Sequence, residues 1–168
     1  MLLMLSVHAI ILATRWSVGI STIGATLDEI SRFEEAEARY FGELAKRAKD
    51  PGAELVASWL AGRKGHVPEL FKAYRPSEID ILEKSPIFEE RFESEPEAWF
   101  ARRLLDDSAP GEEVLDAAIE CGRLLLESAR HIAEQRLDTL VLGFAKSFQA
   151  IALREIKELK KMKALGYF

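Results

Sequence analysis

Two glutamates set on an apolar helical face are the first sign of chemistry in this chain. Stepping three and four residues through Leu27, Ile30, Glu34, Glu37, Phe41, Leu44 and Ala48 gives a seam that is apolar except for Glu34 and Glu37, one turn apart. Carboxylates placed inward need a metal, an arginine, water or a proton, because burying one unpaired is costly. A competing phase puts Phe33, Ala36 and Tyr40 on the inward face and leaves both glutamates at its solvated flank. Farther on, the same stepping through Val56, Leu60, Arg63, Val67, Leu70 and Tyr74 sets an arginine on an apolar seam, with His66 beside it. Arg63 is an interior salt-bridge candidate: it can balance Glu34 or Glu37 as a charge-assisted pair, or snorkel to water.

Other constellations are weaker. Glu127 and His131 stand four apart, near Glu120 and Glu134, and with His66 they would make a mononuclear site; a solvated surface pair is the simpler reading. Cys121 is the one cysteine, so there is no disulfide framework and no cysteine-cluster metal site; a buried structural thiol is expected. His8, alone in an apolar run, reads as a packed histidine. The basic residues Arg154, Lys157, Lys160, Lys161 and Lys163 suit the C-terminal end of a helix and need no anionic partner.

The elements that must hold these residues are helical. A first helix is predicted from Thr26, in a capping box with Glu29, to Lys49, where Asp50-Pro51-Gly52 stops it. A second runs from Ala53 to about Tyr74, a third from Glu112 to about Arg136, and a fourth from about Asp138 to Ala164, ending in Gly166. Between the hairpins lies a long connection, 75–111, with Pro76, Pro86, Pro96 and Pro110 and short amphipathic pieces. Its Phe88, Phe92, Trp99 and Phe100 must cap the bundle, line a pocket or meet a second subunit. No sustained strand-like alternation is present, so the class is all-α.

At 168 residues the chain is one domain's worth, divided here into an apolar N-terminal segment, 1–25, and a helical bundle, 26–168. The first residues, MLLMLSVHAIILATRW, are too short an apolar run to span a bilayer and lack a basic leader. They are expected to cover the bundle or a dimer interface; a membrane or targeting role and a misplaced start are the alternatives. Lys and Arg number 23 against 28 Asp and Glu, a net charge of −5, which leaves no surplus positive charge for nucleic acid. Cysteine usage fits a reducing, cytoplasmic setting.

The stretch Glu34-Glu-Ala-Glu-Ala-Arg-Tyr-Phe-Gly-Glu-Leu-Ala45, with Leu60-Ala to His66, resembles the first hairpin of the rubrerythrin branch of the ferritin-like superfamily. The resemblance implies a four-helix bundle with one long crossover and an iron-binding glutamate at Glu34, seven residues before Phe41. Where the family has Glu-x-x-His, this chain reads Arg63-Lys-Gly-His66, keeping only the histidine. Ala118 to Glu134 resembles the family's third helix, in a register that sets Gly122 opposite Glu34 and brings Phe148 and Ile151 to the remaining ligand positions. The implied metal ligands are therefore Glu34 and His66, with Glu37 and Glu120 as candidate additions.

Those losses predict a degenerate site refilled by a salt bridge and packing, with no catalytic residue and no cofactor. The function so implied is a non-catalytic binding or interaction module, forming a homodimer through its apolar N-terminus and the aromatics of the connection; its protein partner is unknown. The rival reading is an iron-dependent oxidoreductase with a reduced site, and a third is a purely structural helical dimer.

Overall fold

A computed structural model describes residues 16–92, 95–135 and 138–166. In chain order they form β1 (Trp16–Thr22), α1 (Ile23–Arg47), α2 (Pro51–Ala61), α3 (Val67–Phe71), α4 (Pro76–Lys84), β2 (Pro86–Phe92), α5 (Pro96–Ala101), α6 (Gly111–Glu134) and α7 (Thr139–Leu165). Helices dominate, as the periodicity predicts. One antiparallel two-stranded sheet is added that it does not, with Ile20 opposite Phe88 and Ser21 opposite Ile87.

Local chemistry sets the helix starts. The Thr22 hydroxyl accepts the Ala25 N–H at 3.2 Å, so α1 begins before the expected Thr26 box, and Thr26 donates its own hydroxyl back to the Thr22 carbonyl. Asp50 caps α2 by accepting the Ala53 N–H at 2.7 Å, with Pro51 in the first turn. The same Asp50 oxygen accepts the Gly111 N–H at 3.3 Å, where α6 begins. One carboxylate thus serves two helix starts that are distant in sequence. Asp50→Ala is expected to cost about 2 kcal/mol, the upper end for a single cap, in a denaturant titration.

The second expected helix is broken in two. Residues 62–66 form a loop between α2 and α3, because Gly62 and Gly65 are poor helix formers and Pro68 has no N–H to give. Arg63 and His66 therefore stand on a connecting loop and not on a continuous helix as Glu-x-x-His would require.

α1 packs against α2 and α6 against α7, while α2 also meets α6. Short elements finish the enclosure: α4 and α5 cover α1, and α3 and α4 reach α7. With neighbours on several sides, α1 buries Phe33, Ala36 and Tyr40 as well as Leu27, Ile30, Phe41 and Leu44, so both phases read from its sequence are inward. α6 and α7 approach closely at Gly122, where a Cβ would meet Ile156 Cγ1 at 3.0 Å.

The connection is folded onto the helices. Trp99 and Phe100 are buried against Phe33, with ring centroids 5.5 and 5.2 Å away, and Phe100 stacks on Tyr40 at 5.1 Å. The Tyr40 hydroxyl donates to the Arg103 carbonyl at 2.9 Å and accepts the Leu105 N–H at 3.1 Å. A cavity of about 280 Å³ remains beside these rings, lined among others by Trp99, Arg103, Glu113 and Cys121. Phe88 points outward, 62% exposed. Of the N-terminal segment, residues 1–15 with His8 lie outside the described residues; residues 16–22 form β1. No helix among the described residues is long and apolar enough to cross a membrane.

Candidate functional site

Three elements bring charge to one place. Glu34 and Glu37 come from the middle of α1, Arg63 and His66 from the loop after α2, and Glu155 from α7. The His66 backbone N–H donates to Glu34 Oε1 at 2.8 Å, and the His66 ring Nδ1 meets the same oxygen. Ring Nε2 meets Glu155 Oε2, while Arg63 Nη1 pairs with Glu155 Oε1 at 2.5 Å. The side chains of Glu34, His66 and Glu155 keep only 10, 11 and 9% of their exposure, so their charges must be met locally. On the outer side, the Arg63 guanidinium lies 5.0 Å from the Trp59 ring centroid.

Glycine makes the loop's approach possible. A Cβ on Gly65 would run into the Glu34 carboxylate. Without one, the backbone closes over Glu34 and aims the next N–H, that of His66, at it.

The balance of burial and charge sets each proton. Burial alone would push the His66 imidazole down, but hydrogen bonds to Glu155 and Glu34 outweigh it and raise it to about 10. Burial likewise pushes Glu155 up, yet the bonded His66 and the Arg63 charge hold it below the ordinary range. Glu37 has no such partner: burial, then the Glu155 charge, raise it to about 8 against the pull of Arg63. Two carboxylates thus face two cations, and the third acid keeps its proton at neutral pH. Cys121 is held well above its usual value, by burial first and by Glu37 second, so it remains an unreactive thiol.

Iron, which the ferritin-like resemblance implies, does not fit these residues as arranged. Both His66 ring nitrogens are engaged by carboxylates and protonated, so neither offers a lone pair to a metal. Glu37 holds a proton and Glu155 is bonded to Arg63. Among the described residues, no group of three or more His, Cys, Asp or Glu stands where it could hold a metal ion. The space left at the cluster is about 30 Å³, enough for water and too small for an organic substrate.

Several expected placements change. Arg63 is partly buried, its ion-pair partner is Glu155, and Glu34 pairs with His66 instead. Glu120 is half-exposed and bonded to Arg103 at 3.1 Å, on a face of α6 that does not reach the cluster. His131 donates to the Phe88 carbonyl at 2.8 Å while Glu127 is exposed, so that pair makes no site with His66. Phe148 lies fully buried in the core, and the cluster's layer on α7 is held by Glu155, one helical turn beyond Ile151. Glu155 was legible in principle: it is the lone charge along Val141, Phe144, Ala145, Phe148, Ala152, Ile156 and Leu159. No family model, curated protein or solved structure matches this chain.

Proposed function

We propose that this chain is a ferritin-like four-helix protein of the rubrerythrin kind whose metal layer has become an internal ion cluster, and that it acts as a non-catalytic binding or interaction module. The observation that carries this reading is the Arg63–Glu155 pair, which sets a fixed cation where a charge-balancing metal would otherwise be needed. His66 and Glu34, the two positions that match the family's ligands, are spent on each other. The cluster has no room for an organic substrate, whereas the surface offers large apolar side chains, among them Leu55 at 61% exposure and Trp59 at 41%. In this reading the protein works in the cytoplasm.

The rival reading, an iron-dependent oxidoreductase with a reduced site, draws on one observation. Glu155 Oε2 is buried and makes no hydrogen bond of ordinary geometry, although it touches His66. Elemental analysis of protein produced with iron and zinc supplied separates the two. The module reading expects metal far below one equivalent per chain; a stoichiometric metal that disappears in Glu34→Ala and Glu155→Ala would overturn it and establish the rival.

A further inference from the structure

Among the described residues, the small sheet has one protected edge and one open edge. At Phe88, in β2, the backbone N–H donates to Gln135 Oε1 at 2.8 Å, and the backbone carbonyl accepts from Gln135 Nε2 at 2.5 Å and from His131 at 2.8 Å. The Gln135 amide thus stands in for a neighbouring strand along the outer edge of β2. It follows that Phe88 turns its N–H and C=O away from β1, so the facing residues Phe88 and Ile20 are a non-hydrogen-bonded pair. Ile20 must then turn its own N–H and C=O to the outer edge of β1.

That edge carries none of the usual guards against pairing. β1 reads Trp16-Ser-Val-Gly-Ile-Ser-Thr22, without charge or proline. In a chain of net charge −5, it is a neutral stretch on which a second acidic copy can approach without repulsion, whereas β2 carries Glu89, Glu90 and Arg91. Ile20 is 76% exposed and its cross-strand neighbour Phe88 is 62% exposed, while Ile87 is buried beneath the sheet. One face of the ribbon therefore presents an exposed apolar pair beside an edge that no described residue covers.

We propose that a second copy of this chain adds its β1 antiparallel to this edge, about a two-fold axis at Ile20, to make a four-stranded sheet. The geometry is self-complementary: each Ile20 N–H meets the carbonyl of the partner's Ile20, and Val18 falls opposite the partner's Thr22. On the exposed face, Phe88 and Ile20 continue into the same two residues of the second copy as one apolar row. Because the other edge is closed by Gln135, pairing stops at two chains and does not propagate. This inference is independent of the ion cluster.

Sedimentation of the full chain at micromolar concentration tests it, with amide exchange read at Ile20. The wild type is expected to be a dimer whose Ile20 amide gains protection as concentration rises. Ile20→Lys should be a folded monomer whose thermal melt no longer depends on concentration, while Leu104→Lys, a change at a comparably exposed position, stays dimeric. A monomeric wild type would overturn the proposal, whether its Ile20 amide exchanges freely or is protected at every dilution by the chain's own residues. So would an Ile20→Lys chain that remains dimeric.

Discussion

Glu155→Ala is expected to destabilise the fold by about 3–5 kcal/mol, the usual cost of orphaning a buried charge. The loss falls on Arg63, which cannot shed its proton, and on His66, which loses one of its two carboxylates. Replacing the pair together, Arg63→Met with Glu155→Leu, should recover most of that loss, because His66 keeps Glu34 and two apolar side chains fill the vacated space. The recovery is the informative part: it gives a coupling energy between the two positions that a simple loss of packing would not produce. Chemical denaturation of the wild type, both single variants and the double variant measures it. A Glu155→Ala chain within 1 kcal/mol of wild type would mean that Glu155 does not balance an interior charge.

The same cluster predicts a stability that declines on the alkaline side. Folded His66 is raised from 6.5 to about 10, so its contribution is complete below pH 6.5 and is lost as pH rises towards 10. Glu37 acts in the same direction, because its folded value of about 8 against 4.5 means that the native chain still holds a proton that the unfolded chain has released. Glu155 is held below its ordinary value and has the opposite sign: its contribution is present above pH 4.5 and fades in stronger acid. Stability should therefore peak in mild acid and fall by on the order of 5 kcal/mol for each of the two protons the cluster loses. Glu37→Gln keeps the neutral form at every pH. It should flatten the decline between pH 4.5 and 6.5, lessen it between 6.5 and 8, and leave the part due to His66 in place up to pH 10. Thermal melts across this range check both parts; an unchanged slope in Glu37→Gln would show that Glu37 is not the buried acid.

Much of this was legible in the residues, for identifiable reasons. α1, α6 and α7 carry long amphipathic patterns with strong stops, so the expected helices from Thr26, Glu112 and Asp138 lie within three residues of the observed starts. Glu34, Glu37, Arg63 and His66 each stand as polar groups on or beside apolar seams of the sequence, and the structure gathers all of them. The break after Ala61 was hidden because Val67 and Leu70 continue the apolar spacing through a loop whose two glycines act locally. Glu155 was hidden by a register taken from a weak internal repeat, where one turn decides between Ile151 and Glu155. Strand β2 escaped notice because its pairing partner β1 is far away in sequence, and cross-strand contact, not local pattern, defines it.

In this reading His66 is a cation held between two carboxylates, Glu34 and Glu155. Side-chain ¹⁵N resonance of His66 at pH 7.5, recorded with one equivalent of ferrous or zinc ion present, tests it most directly. The account predicts two protonated ring nitrogens and a spectrum unchanged by the metal; a neutral ring, or one whose resonance shifts or broadens stoichiometrically with the metal, would contradict it.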